Sequence, residues 1–192
     1  MARWVVVLAG CAALGAAACD RPNVLFPRFE RDQITTSAIL GTIGDVVADS
    51  IAGLPVGEVD LDAACPGGGS AHIGGTLDAP DGSSFDLTID LGSCRSTRSM
   101  SGGMVSAPLT LDGSLRLRRD LEPQTGRGTE EYTADQLTLD GTVQSWGEQA
   151  SFDKSCVFQI EIVDTETSGA VVGTLCDRPV SWSYRHAACS GE

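Results

Sequence analysis

The chain has 192 residues, a formal net charge of −13 at pH 7 and a sequence pI near 4.4. Its 26 acidic side chains outnumber 13 basic ones, which argues against nucleic-acid partners and against docking on anionic lipid by charge. The acidity itself reads as a soluble surface.

Taken in chain order, the first feature is Met1-Ala2-Arg3 followed by an apolar run from Trp4 to Ala18. A basic head, an apolar stretch of about 7–15 residues and small residues before a cut site make a secretory signal. The run is shorter than the roughly 20 apolar residues of a spanning helix. No later segment reads as long enough either. The run ends Ala16-Ala17-Ala18-Cys19. Small residues followed directly by cysteine resemble a bacterial lipobox, with Ala16 standing where leucine is most common. The resemblance covers only the first 20 residues. It implies that Cys19 becomes the mature N-terminus, carries acyl chains and holds the protein to a membrane of the cell envelope. Leu8-Ala9-Gly10-Cys11 fits the box more closely but has little apolar length before it, so Cys11 stays as the rival anchor. Cleavage after Ala18 without lipid is the third reading.

Three regions follow: a signal peptide over 1–18, an anchor and tether over 19–33, and a single β-rich domain over 34–192. The tether carries two prolines and several charges. The ~170 residues after the signal suit one domain. At its start, Ile39, Ile43, Val46 or Val47, Ile51 and Leu54 recur at three- and four-residue steps, which predicts a helix over 36–53. Thr35 or Thr36 is placed to cap it, and Gly53 with Pro55 to end it. Gly41 and Gly44 weaken it by up to about 1 kcal/mol each, so it needs a partner surface.

Beyond this point the period becomes two. Phe85 to Leu91, Leu109 to Asp112, Leu137 to Asp140 and Phe158 to Ile162 alternate apolar and polar, the pattern of strands with one buried and one wet face. Eight strands are expected, near 57–63, 71–78, 84–92, 105–118, 132–145, 156–163, 170–176 and 179–186. The short links favour antiparallel pairing. The fold class is therefore mainly β: a curved antiparallel sheet, as meander, half-barrel or sandwich, with one N-terminal helix packed on it. An apolar-x-Gly-Ser/Thr-apolar pattern recurs with Gly75, Gly113, Gly141 and Gly173 at its centre. Each glycine shares the face of its apolar neighbours. Four of them predict strong curvature, or a trough into which the helix settles with help from Gly41 and Gly44.

Five of the seven cysteines follow Cys19, and no Cys-x-x-Cys occurs. An exported protein meets oxidising conditions, so disulfides are expected. Symmetry about predicted turns pairs Cys65 with Cys94 and Cys156 with Cys176, leaving Cys189 unpaired. One conflict stands: Cys156 opposite Cys176 puts Phe158 opposite Thr174, one residue away from the register that places Val171 and Leu175 in the core.

Chemistry-bearing patterns are sparse. His72 and His186 are the only histidines, and no Gly-x-Ser-x-Gly elbow occurs. Asp78, Asp81 and Asp86 surround one predicted turn, where Asp-Gly is also plain turn chemistry. Asp60 and Asp62 read as a wet strand face, and Trp182 and Tyr184 as core filling. No catalytic residue, metal ligand or cofactor is assigned. The expected function is that of a non-enzymatic envelope lipoprotein, structural or protein-interacting. The alternative is a carrier for a small apolar ligand in the concave face of the sheet.

Overall fold

A computed structural model describes residues 31–96, 99–100, 105–145 and 148–185. A helix, α1 (Arg31–Ile51), leads into one antiparallel sheet of β1 (Gly57–Ala64), β2 (Ser70–Leu77), β3 (Ser84–Arg95), β6 (Leu109–Leu121), β7 (Gly128–Ser145), β8 (Glu148–Asp164), β9 (Ser168–Leu175) and β10 (Arg178–Arg185). Two two-residue strands, β4 (Ser99–Met100) and β5 (Val105–Ser106), attach at the far end of β7. The eight main strands follow one another as an unclosed meander, which settles the sheet as neither sandwich nor closed barrel. The strand expected over 105–118 is divided: Pro108 has no N–H for the ladder, and β6 starts immediately after it.

Helix α1 touches β1, β7 and β10, so it lies in the concave face and spans the gap between the two free edges. Ile34, Ala38, Ile39, Ile43, Val46 and Val47 are buried against an inner face that includes Ile73, Ile89, Leu115, Leu137, Phe158 and Ile160. A core of this kind stabilises by roughly 1.5–3 kcal/mol per large side chain buried. By length and composition α1 is also apolar enough to cross a membrane, contrary to the expectation that no later segment is; most of it is buried inside the domain.

The helix begins earlier than its threonines suggest. Arg31, Asp32 and Gln33, from the segment assigned to the tether, are already helical. Thr35 and Thr36 are fully buried interior residues rather than caps, and Thr35 Oγ1 donates to its own helix at Arg31 O over 2.8 Å. Asp32 complements the positive end of the helix and pairs with Arg178 of β10 at 2.7 Å. The end is as expected: Gly53 has φ +79° and follows the last turn, where Leu54 N donates to Ile51 O.

The repeated glycines mark bends, but not through the helix. Gly141 has φ +138° and Gly173 φ +151°, a region that is essentially glycine-only. A Cβ at Gly141 would collide with the Pro108 carbonyl, and one at Gly173 with the Gln159 carbonyl. Gly75 and Gly113 show the same conflict with neighbouring backbone. Each glycine thus lets an adjacent strand approach and turn, and the expected role of making room for α1 is corrected. Gly44 is not needed for that approach either, since a Cβ there meets nothing within 4 Å.

Both expected disulfides are present, Cys65–Cys94 with Cα atoms 5.4 Å apart and Cys156–Cys176 at 4.7 Å. The register conflict resolves in favour of the core: Phe158 pairs with Leu175, Ile160 with Gly173 and Ile162 with Val171. Cys176 is not in the strand. With Asp177 it forms a two-residue hairpin turn at φ +52° and +65°, from which it reaches back to Cys156. Loops of 29 and 20 residues each contribute roughly 3 kcal/mol in the chain-entropy model.

Candidate functional site

Two places gather charged side chains, the first enclosed and the second exposed. The first is on the inner face, at the end where β6 gives way to β7. Alternation puts Arg119 in the inward parity of Leu115 and Leu117, and Glu130 in that of Tyr132. The Arg119 and Glu130 side chains are only 14% and 15% exposed, with Nε 3.1 Å from Oε1, an ion pair without hydrogen-bond alignment. The guanidinium stacks 4.8 Å from the Phe85 ring centroid, and Nη1 donates to Gly82 O at 3.3 Å. Tyr132 OH donates to Glu130 Oε2 at 2.7 Å. Further along, Tyr184 OH donates to Asp164 Oδ1 at 2.7 Å.

Burial first, and the neighbouring carboxylates second, push the Tyr132 and Tyr184 hydroxyls above their ordinary pKa of 10.0. Both therefore hold their protons and act as donors, not bases. Charges this enclosed cost several kcal/mol each to desolvate unless paired. The arrangement orients and locks side chains. Trp182 and Tyr184, expected as core filling, are partly buried against the core, and the Tyr184 ring covers Gly169 opposite it.

The second place is the outer face. His72, on β2, lies between Asp60 and Asp62 of the edge strand β1, with Nε2 at 3.3 Å from Asp60 Oδ1 and Nδ1 at 3.1 Å from Asp62 Oδ1. Asp90 of β3 is its register partner on the other side. The hydrogen bond to Asp62 first, helped by the charges of Asp60, Asp62 and Asp90, raises the His72 pKa above 6.5 against an opposing desolvation effect. Because the folded value is the higher one, the stabilising contribution is complete below the unfolded pKa and disappears as pH rises through the folded pKa. An NMR titration of the imidazole should show a midpoint above 6.5 that returns toward it in Asp62→Asn. An unshifted midpoint in the parent chain would remove the pairing.

Of the aspartates of the β2–β3 turn, Asp81 is turned to its own loop, while Asp78 and Asp86 line one recess. Asp81 Oδ1 accepts from Ser83 N at 3.0 Å and from Ser83 Oγ at 2.6 Å, which holds its carboxyl below the ordinary value. Asp86 is paired with Arg116 across the sheet and is likewise lowered. Asp78 lines an open recess of about 300 Å³ with Thr76, Ser84, Asp86, Arg118 and Asp120. Among the described residues no group of three histidine, cysteine or carboxylate side chains is placed to hold a metal ion.

Sequence reasoning missed Arg119 and Glu130, although a charge in the apolar parity of a strand was the available signal. Cys19, expected to carry the anchor, its rival Cys11, and Cys189 and His186 lie outside the described residues. The two disulfides are compatible with an oxidising, exported environment. Comparison with protein-family models, curated proteins and solved structures finds no match to this chain.

Proposed function

We propose that this chain is a non-enzymatic lipoprotein of the cell envelope, anchored through acylated Cys19, whose sheet serves as a structural or protein-interaction module. The observation that carries the reading is the occupied concave face: α1 buries Ile39, Ile43 and Val46 where a carrier would hold its guest. The signal-like first 18 residues and the two disulfides support export. The charged groups of the inner face are tied to one another, which supports a structural role for them over catalysis.

Mass spectrometry of the mature N-terminus tests the anchor. The expected species begins at Cys19 and carries acyl mass; an unmodified Cys19, or a terminus at Cys11, overturns it. Titration with a fluorescent fatty acid tests the alternative. No stoichiometric binding is expected while α1 stays seated, and one-to-one binding with α1 still seated would replace the module by a carrier.

A further inference from the structure

The covalent links of this domain are distributed unevenly. Cys65–Cys94 ties the β1–β2 hairpin to β3, and Cys156–Cys176 ties the β9–β10 turn to β8. Each flank of the sheet is thereby fastened to its interior, while α1, which spans the two flanks, is fastened to neither. A helix satisfies its own backbone hydrogen bonds, so it can leave a surface without breaking a ladder, whereas a strand cannot. The threonines on its buried side keep to that rule: Thr35 and Thr42 donate to carbonyls of α1 itself, at 2.8 Å each.

The fit of α1 to the trough is imperfect in a specific way. Thr36 is fully buried and its hydroxyl has no hydrogen-bond partner among the described residues. Valine, of the same shape, would fill the same space without a stranded polar group. The segment joining α1 to β1 is exposed at all but Leu54, which packs against the core. Ala52, Gly53, Pro55 and Val56 are exposed, Val56 at 54%, and the space around the Cβ positions of Gly53 and Gly57 is open. These observations are independent of one another: where the crosslinks fall, an unsatisfied group at the contact, and a connection held to the core by Leu54 alone among its exposed neighbours.

We propose that α1 is an exchangeable plug: it swings out about residues 52–56 while the disulfide-tied sheet stays folded, and the vacated trough takes α1 from a second copy of the chain. The second copy is the occupant because its α1 is the segment whose length, apolar face and Asp32–Arg178 pairing already match this trough. Exchange of an identical element keeps every contact outside the hinge, which makes it a low-cost route to a dimer. The inference builds on the trough as an interaction surface and is indifferent to the anchor, so the N-terminal mass and the results below fail separately.

Hydrogen exchange on the mature, oxidised chain tests the release. Amides of Ile39 to Val47 should exchange together, at least ~10-fold faster than the central amides of β6 and β7 and with weaker denaturant dependence, because a sub-global opening exposes less surface than unfolding. A labelled peptide of residues 31–51 tests the exchange. It should bind the intact chain at a rate that levels off, as peptide is added, at the opening rate of α1. Equal protection and equal denaturant dependence of α1 and the strands would overturn the plug. Independent opening of α1 with no peptide bound after many opening lifetimes would overturn the exchange.

Discussion

Gly141→Ala is expected to be nearly as damaging as Gly141→Val. If α1 had required the space, alanine would be tolerated and only the larger side chain would overpack. The observed obstacle is different. Gly141 sits at φ +138°, and any Cβ there runs into the Pro108 carbonyl. The conformational cost is about 1–3 kcal/mol and the displacement of packed backbone about 1–3 more, so alanine should lose about 2–6 kcal/mol. In a domain of this size that lowers the melting temperature on the order of 10 °C. Gly113→Ala should behave in the same way, since its Cβ would lie 2.6 Å from Gln136 O at φ +120°. Thr142→Val, on the other face of β7, should stay within about 0.5 kcal/mol of the parent. Thermal melts of the alanine, valine and control variants decide it. Tolerance of alanine together with loss at valine would restore a steric role facing the helix.

The Arg119–Glu130 pair should show strong coupling. Removing either partner leaves the other enclosed without its counter-charge, which typically costs about 3–5 kcal/mol. With both side chains near 15% exposure, the lower end of that range is expected. Arg119→Met keeps an apolar stem over Phe85, so its loss reports mainly on the stranded Glu130 carboxylate. The double variant Arg119→Met/Glu130→Met removes both charges from the inner face and should lose clearly less than the two single variants summed, the remaining loss of about 1–3 kcal/mol coming from the buried Tyr132 hydroxyl left without Glu130. Tyr132→Phe deletes one hydrogen bond to Glu130 and should cost about 1 kcal/mol. Denaturant titrations across the double-mutant cycle measure the coupling. Additive single losses would show that the two charges are held independently.

Much of this fold was readable from alternation. The eight main strands fall where period-two patterning puts them, because one side of each faces α1 and the core while the other faces water. The helix was readable from its apolar period but not from its start. Thr35 and Thr36 look like caps because threonine at a helix entrance is a strong local signal; here their methyl groups are buried in the core and the first turn lies before them. The glycine pattern was visible, and its curvature with it, but the cause was not, since a backbone angle leaves no mark in a sequence beyond the glycine itself. Likewise, both cysteine pairs followed from turn symmetry, while the register at Cys176 depended on a two-residue hairpin that periodicity does not distinguish from one more strand residue. Of the candidate site, His72 and the aspartates around it were visible as residues, but their convergence required three strands in register. Arg119 was hidden among Arg116, Arg118 and Asp120, where a run of charges resembles a wet face.

The order of the crosslinks along the chain bears on how the protein matures. Cys65 bonds to Cys94 and Cys156 to Cys176, so neither loop encloses or interlocks with the other. If the chain is threaded through a membrane from its N-terminus, the first pair can close before Cys156 has crossed. With Cys19 acylated, as proposed, and so withdrawn from pairing, an oxidant that joins cysteines in order of arrival would produce the native connectivity directly. Each bridge also completes one flank of the meander from strands that are neighbours in sequence. The contact between α1 and β10 has to wait for the last strand to arrive. On that route the flanks would be fastened locally before the first helix is finally seated, and a delay just after Cys176 would leave a disulfide-complete but unplugged intermediate.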